Sequence, residues 1–197
     1  MHTTQQHRHA RTALIGALLV SGLTFGSAAQ AAISFQFNFL DSAGTGFNDA
    51  TTGSTRKDAL NNAASLYSTL FGQYFTNSGT IVLDATATDN PLSNNLASAG
   101  SQVVLFGGTP DGFNLSEVVR TKLQTGVDAN GASADGSVNV NFGQSWQLDS
   151  GATVTNSQFD FYSTLFHEFT HALGFSSLIN QDGTGLFSTN NWGAYDQ

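Results

Sequence analysis

Residues 155–175 read TNSQFDFYSTLFHEFTHALGF, and both the fold and the chemistry turn on how this stretch is taken. Phe161, Tyr162, Leu165, Phe166, Phe169, Ala172 and Leu173 recur at the three- and four-residue steps of an α-helix and share one arc. The spacing predicts a helix over 155–175 with a buried back. Asp160, Thr164, His167 and His171 fall on the other side. Ser157 and Asp160 read as a capping pair at its start, and Gly174 as a left-handed stop.

Inside that helix His167-Glu168-Phe169-Thr170-His171 has the form H-E-x-x-H. At about 100° per residue, His171 stands about 40° from His167 and one turn along. Two imidazoles so placed can share one Zn²⁺, and Glu168, at the edge of the same face, can take a proton from a water beside it. An ordinary solvated helix face also accepts two His and a Glu. Against that, residues 32–197 contain two His and two Glu, and three of those four lie in this pentapeptide.

The 197 residues fit one domain, 40% apolar and 10% charged, which is enough for a core and too little charge for a solvated disordered tail. Asp and Glu number 14 against 6 Lys and Arg, a net charge of −8, which argues against a nucleic-acid partner. The absence of Cys excludes disulfides, thiolate zinc sites and cysteine nucleophiles. Residues 1–31 carry His2, Arg8 and Arg11, then the apolar stretch Ala13–Phe25, then Ala29-Gln30-Ala31. Basic, apolar, small is the order of a cleaved signal peptide, and the apolar stretch is short of the roughly 20 residues of a membrane span. The expectation is a secreted, periplasmic or cell-surface chain with no span after cleavage. Residues 32–197 keep only Arg56, Lys57, Arg120 and Lys122 against all 14 acids, a net charge of −10.

Elsewhere the chain alternates period two with period 3.6. Ile33–Leu40, Thr80–Thr88, Gln102–Phe106 and Ser137–Phe142 read as strands. Thr55–Phe75 reads as a helix through Leu60, Ala63, Ala64, Tyr67 and Leu70. Asn114-Leu115-Ser116-Glu117 reads as the capped start of a short helix with Val118, Val119 and Leu123 on its apolar stripe. The order β-α-β-β-α-β-α predicts an α+β fold, a mixed sheet with packed helices.

The segment His167–Phe175, HEFTHALGF, resembles the zincin metallopeptidases. Its HExxHxxGF form is most similar to metzincin-like exported bacterial proteases, including those with a C-terminal Pro-Glu-Pro sorting tail. The resemblance implies a zincin-like upper subdomain over residues 32–197, with a twisted mixed sheet over the active-site helix. It implies a cleft whose edge strand pairs with an extended peptide, a role that position and alternation assign to Ser137–Phe142. It makes His167 and His171 zinc ligands, Glu168 the general base and Gly174 the turn after the second ligand.

The metzincin pattern then expects a third His three residues after that glycine, where this chain has Ser177, and a Met-turn, whereas the only Met is Met1. Three explanations stay open. A carboxylate, Asp182 or Asp196, supplies the third ligand. The chain is truncated after the active-site helix, before the third ligand. Or the domain is degenerate and binds no metal.

Other features carry less. Asp128-Ala129-Asn130-Gly131 and Asp135-Gly136 offer oxygens for Ca²⁺ but miss the EF-hand spacing and fit Asx/Gly turns. Asn114-Leu115-Ser116 matches a glycosylation acceptor. The functional expectation is an exported zinc-dependent metalloendopeptidase acting on peptide or protein substrates. The alternatives are a non-catalytic surface or matrix protein and an inactive truncated zincin remnant.

Overall fold

Apolar alternation along the chain builds one main sheet with one covered face. In the computed structural model, which describes residues 32–105, 112–185 and 190–197, strand β1 (Ile33–Phe39) is followed by helix α1 (Gly53–Phe71) and strand β2 (Gly79–Thr88). Two short strands follow, β3 (Ala97–Ser101) and β4 (Val103–Leu105), then β5 (Gly112–Glu117), helix α2 (Val118–Thr125) and strand β6 (Gly136–Asn141). The two-residue strands β7 (Trp146–Gln147) and β8 (Phe159–Asp160) lead into helix α3 (Phe161–Ala172), and β9 (Asn191–Gly193) precedes a single 3-10 turn, Ala194–Asp196. The fold is mixed α+β, as the pattern predicts. The signal-peptide segment 1–31 lies outside the described residues.

The main sheet runs β1-β2-β6-β3. β1, β2 and β6 are parallel, with Phe35 opposite Ile81 and Ala85 opposite Val138, and β3 closes the order antiparallel to β6, with Ala99 opposite Val138. Every second residue points into the core: Ile81, Leu83, Ala85, Val138 and Val140 are fully buried. The covering layer is α1 and α3, through Leu60, Ala63, Ala64 and Tyr67 and through Leu165, Phe169 and Ala172. The opposite face is polar and laced across strands: Asn38 donates to Asp84 at 2.9 Å and Asn139 to Thr86 at 3.0 Å. One wet face and one buried face is what strict alternation demands.

Several boundaries differ from the sequence expectation. Ser137–Phe142 is not an edge: β6 is paired with β2 on one side and β3 on the other. The edges are β1 and β3, and β3 is a run of small residues whose approach to β6 depends on Gly136, because a Cβ there would collide with the Gly100 carbonyl. Asn114–Glu117 is not a helix start but strand β5, held between β4 and β9. The helix begins at Val118, with Glu117 still extended. The HExxH helix begins at Phe161 rather than Thr155, because Phe159 and Asp160 pair with Trp146 and Gln147. Phe106, the last residue of the expected third strand, lies outside the described residues.

The loop 128–136 holds an internal cation. Lys122 Nζ sits 2.9 Å from Asp128 and 2.7 Å from the fully buried Asp135, whose other oxygen takes the Val82 amide hydrogen at 2.8 Å. Burial alone would lower the Lys122 ammonium, but the two carboxylates outweigh it and hold it above its ordinary value. The Asp128 carboxyl is held below its ordinary range by the same ammonium. The oxygens considered for Ca²⁺ are thus engaged by a lysine. Among the described residues no helix is long and apolar enough to cross a membrane.

Candidate metal centre

Helix α3 is pinned at both ends before its polar face can do anything. At its start Asp160 is the cap, accepting the Tyr162 and Ser163 amide hydrogens at 3.0 and 3.4 Å. This takes over the role expected for a Ser157–Asp160 pair. Its back, Phe161, Leu165, Phe169 and Ala172, is fully buried. Phe169 stacks among Phe35 at 4.9 Å, Tyr67 at 5.8 Å and Phe37 at 6.2 Å between ring centroids. The Thr170 hydroxyl donates to the Phe166 carbonyl at 2.8 Å, so the Tyr67 hydroxyl, 3.1 Å away, donates to Thr170. Burial raises the Tyr67 phenol and keeps it protonated for that bond. Gly174, at φ +94°, ends the helix in the expected left-handed turn.

On the polar face the two imidazoles converge. Nε2 of His171 lies 3.0 Å from Nε2 of His167, with the ring planes at 89°. Nδ1 of His171 lies 2.9 Å from the Phe175 carbonyl. A carbonyl only accepts, so Nδ1 carries the hydrogen and the Nε2 lone pair is turned towards His167. This is the arrangement in which a backbone carbonyl behind a histidine fixes its tautomer for metal ligation. The Ser176 hydroxyl adds a second contact to the same Nδ1 at 3.3 Å.

Glu168 lies beside them, nearly buried, at 9% exposure. One carboxylate oxygen accepts the Ala99 amide hydrogen of β3 at 2.9 Å. Burial pushes the Glu168 carboxyl above its usual range, and the Ala99 amide and the two imidazoles oppose that rise. The site is therefore the polar strip between α3 and the outer strand β3. Ala99 is the participant that motif reading misses, because nothing in Ala97-Ser98-Ala99-Gly100-Ser101 marks a functional residue.

The two nitrogens suit zinc. Two Zn–N bonds of about 2.0–2.1 Å at a tetrahedral angle would set the nitrogens about 3.3–3.4 Å apart, a few tenths of an ångström more than the 3.0 Å between them. The third position is another matter. Among the described residues no group of three or more His, Cys, Asp or Glu is placed to hold a metal. Asp182 accepts from the Thr184 amide and hydroxyl in its own exposed turn. Asp196 accepts the Leu178 amide hydrogen at 2.9 Å and the Gly193 amide hydrogen at 3.2 Å, which ties the C-terminal segment to the chain leaving α3. Ser177, at the position of the metzincin third histidine, accepts from Ile179. Neither carboxylate joins the imidazole pair.

No family model matches the chain, and no curated protein or solved structure matches it.

Proposed function

We propose that this chain carries the zinc-binding helix of an exported metalloendopeptidase, with His167 and His171 as ligands and Glu168 as general base. The observation that carries the reading is the 3.0 Å convergence of the two Nε2 atoms, with His171 oriented from behind by the Phe175 carbonyl. When bound, zinc supplies Lewis acidity, lowering the pKa of a coordinated water and polarising a carbonyl. The residues of the chain do the rest. The Glu168 carboxyl, raised by burial, accepts a proton from water and returns it to the leaving amine. The Ala99 amide holds that carboxylate against β3. The zincin-like architecture and export by residues 1–31 belong to this proposal.

A second reading has its own support. A catalytic zinc takes three protein ligands, and the described residues bring together two imidazoles without a third partner. That favours a zincin remnant with weak zinc affinity and negligible turnover.

Zinc titration and casein hydrolysis, each run on wild type and Glu168→Ala, separate the two. Stoichiometric tight zinc in both proteins, with hydrolysis only in wild type, supports the peptidase. Equal hydrolysis in both removes Glu168 as the base. Weak zinc without hydrolysis in either establishes the remnant.

A further inference from the structure

Four cations follow residue 31, and three of them are engaged. Arg56 donates to the Gly46 carbonyl at 2.7 Å and lies over the Phe142 ring at 4.2 Å. Lys57 lies over the Phe39 ring at 4.9 Å, and Lys122 bridges Asp128 and Asp135. Arg120 is different: among the described residues no carboxylate pairs with it. It lines a cavity of about 340 Å³ whose other walls include Phe75, Leu123, Leu173, Phe175 and Tyr195. A largely apolar cavity with one guanidinium, Gln124 and Tyr195 being its other polar side chains, in a chain of net charge −10 after residue 31, is complementary to an apolar group ending in a single negative charge.

We infer that this cavity binds a small apolar carboxylate, its hydrocarbon or aromatic part among Phe75, Leu123, Leu173, Phe175 and Tyr195 and its carboxylate on Arg120. The planar fork of an arginine suits a carboxylate's two oxygens. Glu117 acts on Arg120 through space without forming an ion pair, and its buried carboxyl is raised by desolvation, so it competes poorly for the guanidinium. The cavity shares the turn Leu173–Phe175 with the metal centre, since the Phe175 carbonyl holds His171. The inference does not depend on the metallopeptidase reading.

Two sources supply such a ligand: the C-terminal residue of a peptide, or a free fatty or aromatic acid. The test is titration of the full chain, metal-free, with N-acetyl-L-phenylalanine, its C-terminal amide and octanoate, followed by amide NMR. The expected result is shifts centred on Leu123, Gly174 and Phe175, with at least one acid binding tenfold or more tighter than the amide. Preference for the acetylated amino acid identifies the peptide source, and preference for octanoate the free acid. Arg120→Gln abolishes the discrimination and Arg120→Lys retains part of it. Equal binding of acid and amide by the wild-type chain overturns the inference, as does the absence of any shift on titration with either acid into the millimolar range. Both outcomes are read without any variant.

Discussion

The Glu168 carboxylate accepts the Ala99 amide hydrogen at 2.9 Å, joining the acid of the HExxH helix to an outer strand 69 residues earlier. One oxygen therefore has a structural task while the carboxylate as a whole has a chemical one, and two substitutions separate them. Glu168→Gln keeps an acceptor for Ala99 and stays within about 0.5 kcal/mol of wild-type stability, whereas Glu168→Ala loses roughly 1–3 kcal/mol by leaving that amide without its partner. Both abolish casein hydrolysis under the peptidase reading. Urea denaturation beside the activity assay checks this, and equal destabilisation by the two variants would show that the hydrogen bond is not what holds β3.

Gly174 is constrained twice. Its φ of +94° is unfavourable for any side chain, and a Cβ there would lie 3.2 Å from Arg120 Cβ and 3.3 Å from Glu117 Cβ. Gly174→Ala is expected to cost about 1–3 kcal/mol. Because the same turn presents the Phe175 carbonyl to His171, under the metallopeptidase reading zinc affinity should fall about tenfold or more. Thermal melting and zinc titration measure the two effects separately. Unchanged affinity in a destabilised variant would detach the turn from the histidine.

Lys122 answers two acids, one of them fully buried. Removing one partner of a buried ion pair typically costs about 3–5 kcal/mol, because the remaining charge is left without compensation. Lys122→Ala should therefore lower the melting temperature sharply, and adding Asp135→Asn should recover part of the loss. A double variant less stable than the single would show that Asp135 serves the Val82 amide more than the lysine. Calcium should leave the melting temperature of the wild-type chain unchanged.

Glu117 is 2% exposed, and among the described residues neither of its carboxylate oxygens has a hydrogen-bond partner from another side chain or amide. Burial raises its carboxyl above the ordinary 4.5, with Asp196 adding to the rise and Arg120 opposing it. The sign follows directly. As pH climbs, the unfolded chain ionises first, so stability falls from about pH 4.5 up to the raised folded value and stays lower above it. Glu117→Gln should be the more stable protein at pH 7, by on the order of 1 kcal/mol, and should lose that advantage below pH 4.5. Denaturation midpoints at pH 4 and pH 7 decide the matter. A difference of the same size at both pH values would assign the effect to packing rather than charge.

What could be read from the residues is uneven, and for identifiable reasons. The arc Phe161–Leu165–Phe169–Ala172 was legible because helical periodicity is local, and the same periodicity placed both histidines on the polar side. The first six residues of the expected helix were not legible as turn and strand, since the pairing that makes Phe159 and Asp160 a strand is with Trp146 and Gln147, outside the periodic stretch. Asn114–Glu117 carries a capping signature, yet Leu115 and Glu117 are buried by a ladder with β4 and β9 that outweighs the local preference. β3 has no β-branched residue and reads as loop. It becomes a strand because Gly136 admits its backbone and Glu168 holds its outer side.

Spacing along the chain is enough to put two imidazoles and an acid on one turn of one helix, because a helix repeats every few residues and needs no distant partner to do so. It is not enough to say what meets them. That the acid faces Ala99, 69 residues earlier, and that Asp196 holds the Leu178 amide, 18 residues earlier, depend on how the backbone is placed, and that Lys122 answers Asp128 and Asp135 depends on charge neutralisation across a loop. Such long-range contacts leave no periodic trace in the order of the residues.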